Sequence, residues 1–291
     1  NMYLNLDGTR FTDKKDYNKT EFKDEFKNRD WRLSQSFLNP DYEKVVNGIK
    51  TKDITKTFPN LEQQNTWYRI AKWSLADNSL EGGDWSYNSL PVFRFAEILL
   101  NYAESKAELG EMDSNVWDMT IRRIRERSGV KGDAPAVADP YLIAYYTNDQ
   151  DNTSVTDKWI LEVRRERTIE LFMENTRRDD LWRWRQCPLM ERPYDGIYVP
   201  QVGKEFDLNG DGKNDICFYS KSFPKPSKTI AGVTYVEIKA KDGDKDVIYG
   251  LNEDNCIVYL IDREWLPHMY YYPIPQTAIN INPNLGQNPG W

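Results

Sequence analysis

Apolar positions keep a sustained helical rhythm only in the middle of this 291-residue chain. From about Pro91 to Leu109, the residues Val92, Phe95, Ala96, Leu99, Ala103 and Ala107 recur at three- and four-residue steps, lining one helix face. Pro91 suits a first helical turn and Gly110 a C-terminal stop. A second helix is predicted from about Ser114 to Arg127, capped by Asp113 or Ser114, striped by Trp117, Ile121 and Ile124, and ended by Gly129. So short a link makes the two an antiparallel helical hairpin. A loop rich in Pro, Asp and Asn (132–156) follows, then a third helix from about Thr156-Asp157 to Thr176. Arg177 to Gln186 forms a further helix or its bent continuation, stopped by Pro188 and Pro193.

The flanks lack that period. Residues 1–90 carry turn signals at Asp7-Gly8, Asn39-Pro40, Asn47-Gly48 and Gly82-Gly83, and read as irregular structure with short helices and strands. Phe22 to Phe26 suits a helical turn or two, and Arg69 to Trp73 a strand. Over about 194–260, β-prone pieces (Ile216 to Tyr219, Val233 to Ile238, Cys256 to Leu260) alternate with Gly/Asp turns. Pro273, Pro275, Pro283 and Pro289 predict an extended, non-helical tail over 272–291. The expected class is mainly α, with a helical core at about 91–186, minor β-hairpins and long ordered loops.

Charge narrows the function. Lys plus Arg number 39 against 46 Asp plus Glu, a net charge of −7 that speaks against nucleic-acid binding. One histidine, His268, excludes histidine-based nucleophile systems and histidine-rich zinc sites. Cys187, Cys217 and Cys256 have no metal-ligand spacing and leave room for one bridge. No run approaches the ~20 apolar residues of a membrane span.

Two motifs carry chemistry. Glu166, Glu170 and Glu174 recur every four residues on the third helix among Arg164, Arg165, Arg167, Arg177 and Arg178. Such carboxylates could serve acid/base catalysis, as in a glycoside hydrolase. Abundant guanidinium lowers their pKa, however, and favours an ion-pair lattice tying the helix to its neighbours. The second motif is the loop Asp207 to Asp215, which fits a calcium site built by Asp207, Asn209 and Asp211 side chains, the Lys213 carbonyl and Asp215. Phe218 stands at the twelfth position, so this is no standard EF-hand. The alternative is a polar turn between strands. No organic cofactor is expected. Asp242, Asp244 and Asp246 lack the needed Gly and read as a solvated turn.

The residues then resemble a known family. Glu166-Arg167-Thr168-Ile169-Glu170-Leu171 with Glu174, Arg177, Asp180-Leu181 and Arg183-Trp184 is similar to the signature helix of the SusD/RagB family. FRFAEILLNYAESKAELG from Phe93, IRRIRERSG from Ile121, Arg29 to Leu33 after Asp7-Gly8, and the tail YPIPQTAININPNLGQNPGW resemble further landmarks in family order. The resemblance implies a non-enzymatic, glycan-binding outer-membrane lipoprotein, held on the cell surface through a lipidated N-terminal Cys not present in this chain. It implies an oligosaccharide ligand and a SusC-like TonB-dependent transporter as partner. It also implies a tetratricopeptide-like N-terminal half, which this sequence does not contain, so 1–291 resembles the C-terminal region. Sugar stacking needs flat rings beside polar groups, and the candidates are Trp67, Tyr68, Trp85 and Tyr87, near Asn65, Asn78, Asp84 and Asn88. Trp73 is a weaker candidate, and Trp182 and Trp184 read as packing. The other readings are a glycoside hydrolase and a transporter-docking scaffold with little glycan affinity.

Overall fold

A computed structural model of the chain describes residues 1–52, 66–80, 88–148, 154–238, 249–259 and 263–291. Two short helices, α1 (Phe22–Glu25) and α2 (Trp31–Ser36), precede the hairpin of β1 (Lys44–Val46) with β2 (Ile49–Thr51). The central helices are α3 (Phe95–Glu108), α4 (Ser114–Met119), α5 (Ile121–Arg127), α6 (Pro140–Tyr146), α7 (Lys158–Glu170) and α8 (Arg177–Arg183). Six strands follow: β3 (Tyr194–Tyr198), β4 (Glu205–Phe206), β5 (Ile216–Tyr219), β6 (Thr234–Glu237), β7 (Tyr249–Leu251) and β8 (Cys256–Tyr259). The fold is mainly helical with small sheets, as the periodicity predicts.

α3 packs on α7 through a narrow face. Ala96, Leu100, Ala103 and Ala107 are buried, whereas Phe95 is 69% and Val92 95% exposed, so the buried stripe is rotated from the expected one. The helix also starts later than Pro91. Arg94 precedes it in extended geometry (φ −126°) and gives its guanidinium to Glu170 at the end of α7 and to Glu174 in the turn beyond it. That commitment fixes the chain's entry.

The predicted second helix is two. Asp113 caps α4 by accepting the Val116 N–H at 2.8 Å, and the chain breaks at Thr120 (φ −120°, ψ −89°), whose hydroxyl donates back to the Val116 carbonyl. Trp117, Ile121 and Ile124 still share one buried cluster with Leu100 and Val163. Gly129 (φ +76°) is required after α5, since a Cβ there would lie 2.5 Å from the Trp31 ring.

α6 falls inside the segment expected to be a loop. Asp139 accepts the Tyr141 N–H, Pro140 occupies the first turn, and Leu142 and Tyr146 are fully buried. α7 is capped by Asp157 and stops at Glu170 rather than Thr176, because Met173 (φ +60°) and Asn175 (φ +63°) turn left-handed.

The strands form two three-stranded sheets, β3-β8-β7 and β4-β5-β6. β5 and β6 run parallel, so this section is not built from hairpins alone. Ile197, Ile216, Phe218 and Ile257 share a core with Phe22, Leu38 and Trp67. The tail is not wholly extended: Pro267–Tyr270 forms a 3-10 turn and α9 (Gln276–Ile281) a short helix after Pro275. Cys187, Cys217 and Cys256 are buried free thiols. Among the described residues no helix is long and apolar enough to cross a membrane.

Candidate functional site

The carboxylates of α7 and of the turn just after it are answered by arginines from three other segments and by a lysine from a fourth. Arg32 Nη1 donates to Glu166 (2.8 Å) and Glu170 (3.2 Å), and Arg125 Nε donates to Glu166 (2.7 Å). Arg94 Nη1 donates to Glu170 (2.8 Å) and its Nη2 to Glu174 (2.7 Å), while Lys72 Nζ donates to Glu174 (2.6 Å). Arg127 Nη2 donates to Glu170 Oε2 at 2.6 Å. Burial raises the Glu166 pKa, but the Arg32 and Arg125 charges outweigh it and hold the group below the usual carboxylate range. Burial raises Glu170 as well, and Arg32, Arg127 and Arg94 bring it down to about 2. These glutamates are therefore fixed anions, unsuited to act as a general acid.

Where the lattice meets the surface lies a cavity of about 290 Å³, lined by Gln35, Ser36, Lys72, Trp73, Arg94, Arg127 and Glu170 among others. It sits between α2, the start of α3 and the ends of α5 and α7. Trp73 forms part of the wall. Its backbone is left-handed (φ +69°), an uncommon state for a bulky residue, and its indole N–H donates to the carbonyl of Met173, which is also left-handed. The predicted strand over 69–73 is absent; Ile70 makes only an isolated bridge to Phe37. A ring beside an amide and several N–H donors can hold a polyhydroxylated ligand non-covalently. A second cavity of about 270 Å³, lined by Thr147, Asn148, Gln186, Pro188, Leu189, Glu191 and Arg192, has no aromatic wall.

Two of the four predicted rings lie elsewhere than expected. Trp67 is 2% exposed and meets Phe218 edge-on at 4.8 Å, so it is a core residue rather than an outward platform. Tyr68 donates its hydroxyl to Glu25 at 2.5 Å, and burial, then the Glu25 charge, pushes its pKa well up. That ties its polar end inside the protein. Trp85 and Tyr87 lie outside the described residues, as do Asn65, Asp84, Gly82-Gly83 and Asp242 to Asp246. Asn78 accepts the Asn47 N–H and Asn88 donates to the Trp73 carbonyl, so both brace loops. Trp184 is buried and donates to Glu104; Trp182 stacks on Tyr272 of the tail.

In the acidic loop, side chains close turns. Asp207 accepts the Gly210 and Gly212 N–H groups, Asn209 that of Asp211, and Asp211 that of Lys213. Asp215 is 6% exposed and accepts the Leu208 N–H at 2.8 Å. Burial, with Asp211 and Asp207 adding like charge, raises Asp215 to about 6. Among the described residues no group of three or more His, Cys, Asp or Glu side chains is gathered to hold a metal ion.

This arrangement of arginine-locked helix and aromatic tail coincides with a family model. The model of the SusD family matches residues 1–291. The chain belongs to the SusD family. No curated protein matches it. Among solved structures, this SusD-family chain is similar to a SusD-like carbohydrate-binding protein of Bacteroides fragilis NCTC 9343, at 23% identity and a TM-score of 0.54 over 98% of the chain. It is also similar to a second SusD-like protein of that strain, at 17% identity and a TM-score of 0.56 over 100% of the chain. At these identities the likeness is one of fold. The chain spans less than half of either neighbour, 46% and 45% of their lengths.

Proposed function

We propose that this SusD-family chain captures saccharide at the cell surface without cleaving it. The observation that carries the reading is the cavity in which Trp73 faces a lattice of fixed charges. An aromatic wall supplies the face for sugar C–H groups, and pre-positioned donors supply partners for ring oxygens. The carbohydrate-binding description of a structural neighbour points the same way. On the family reading, the protein is a lipid-anchored outer-membrane component that passes oligosaccharide to a SusC-like TonB-dependent transporter.

Affinity electrophoresis against a panel of soluble polysaccharides tests this. At least one polymer is expected to retard the chain, Trp73→Ala to lose about tenfold or more in affinity, and no reducing ends to appear. Release of reducing sugar would instead support the hydrolase reading, which the ionised Glu166 and Glu170 disfavour. A docking scaffold is the second reading, favoured by the open outer face of α3, where Phe95, Ile98 and Tyr102 are 69%, 49% and 44% exposed. Negligible retention of the wild type by every polymer would favour it.

We also propose that calcium tightens the loop Asp207 to Asp215, a reading supported by oxygen side chains at alternating positions. Excess calcium should then raise the melting temperature by a few degrees and a chelator should reverse the rise. An unchanged melting temperature makes the loop a polar turn.

A further inference from the structure

The cavity's hydrogen-bonding groups are unequally spent. Arg32 is taken up by Asp30, Glu166 and Glu170, Arg94 by Glu170 and Glu174, and Lys72 by Glu174 and the Glu170 carbonyl. Arg127 differs. Its side chain is 53% exposed, and among the described residues its hydrogen bond is the single Nη2 contact to Glu170. A guanidinium carries five N–H donors, so most of this fork is open at the cavity wall. Among the described residues the one carboxylate on that wall, Glu170, already accepts on both oxygens, Oε1 from Arg94 and Oε2 from Arg32 and Arg127. The Ser128 hydroxyl donates to the Arg125 carbonyl, and Gln35 brings one amide. With the Ser36 hydroxyl bonded to Tyr3, open donors outnumber open acceptors among the described residues of the wall.

A neutral sugar hydroxyl is both donor and acceptor, and burying its O–H without an acceptor is unfavourable. A carboxylate or sulfate has only acceptors, and its paired oxygens match an arginine fork. We infer that the saccharide unit held in this cavity carries an anionic group, a uronate carboxylate or a sulfate ester, engaged by Arg127. This rests on the saccharide reading of the same cavity.

The test uses the full chain in affinity gels containing polygalacturonate, alginate or chondroitin sulfate, with methyl-esterified pectin, desulfated chondroitin, starch and xylan as counterparts. One acidic polymer should retard the chain, and binding should fall about tenfold or more when that polymer is methyl-esterified or desulfated. Loss on esterification identifies the carboxylate, and loss on desulfation the sulfate. Arg127→Gln should lose a similar factor, and Arg127→Lys, which keeps the charge without the fork, should recover part of it. Since Glu170 retains Arg32 and Arg94, both variants should fold, which circular dichroism checks; if Arg127→Gln does not, the Arg127→Lys comparison decides. Trp73-dependent binding of neutral polymers with no acidic preference would overturn the inference and leave the saccharide reading standing. Acidic binding unchanged in Arg127→Gln and Arg127→Lys would do the same. No retention by any polymer, or retention indifferent to Trp73→Ala, would overturn both.

Discussion

Glu166→Ala should lower the melting temperature by on the order of 10 °C at neutral pH, the largest effect expected of any single carboxylate. Glu166 is fully buried and is shared by Arg32 and Arg125, which arrive from α2 and α5. Breaking a buried pair by deleting one partner costs about 3–5 kcal/mol, because the remaining charge stays desolvated. Arg32 keeps Asp30 and Arg125 keeps Glu162, which points to the lower end of that range. The cost also depends on pH. Glu166 and Glu170 both titrate below the ordinary value of 4.5 when folded, so their contribution is full above about pH 4.5 and is lost as pH falls below it, for Glu170 through about 2. The difference in melting temperature between wild type and Glu166→Ala should therefore narrow on acidification. A gap independent of pH between 7 and 3, read by thermal scans, would contradict the ion-pair account.

Trp67→Ala should destabilise the chain by about 3–5 kcal/mol, as large-to-small changes at buried aromatic positions do. The ring is 2% exposed inside the cluster that joins Phe22 and Leu38 to the β4-β5-β6 sheet. Denaturant titration checks this. A near-neutral change in stability, coupled to lost saccharide binding, would restore Trp67 as a surface platform and contradict its core placement.

The two placements show what local sequence encodes. The α3 and α7 helices were legible because the apolar recurrence and Gly110 stop of α3 and the Asp157 cap of α7 are written in consecutive residues. The end of α7 at Glu170 is instead set by the left-handed Met173 and Asn175, which no local signal announces. That Glu166 and Glu170 would be ion-paired was legible from the abundance of arginine, but the partners are Arg32, Arg94, Arg125 and Arg127 from other segments rather than the Arg164, Arg165 and Arg167 beside them. α6 was missed, although Asp139-Pro140 signals a start, because seven residues give too little period to stand against the loop composition around them. α9 was missed because proline both ends helices and begins them, and Pro275 does the second. Trp73 was undervalued for another reason. The run Arg69 to Trp73 has strand chemistry, and nothing in it announces the left-handed backbone that aims the indole at Met173. Lys72, Arg94 and Arg127 converge from separate segments, and no local pattern brings them to one wall. Trp67 and Tyr68 do not stand outward because their direction is set by partners far away in sequence, the sheet core around Phe218 for Trp67 and Glu25 for Tyr68.

The most direct measurement is a crystal structure of the chain with the saccharide that retards it in affinity gels. The account predicts a sugar ring in van der Waals contact with the Trp73 indole, between Arg127 and Arg94. A sugar bound elsewhere, with the Trp73 cavity holding only solvent, would contradict it.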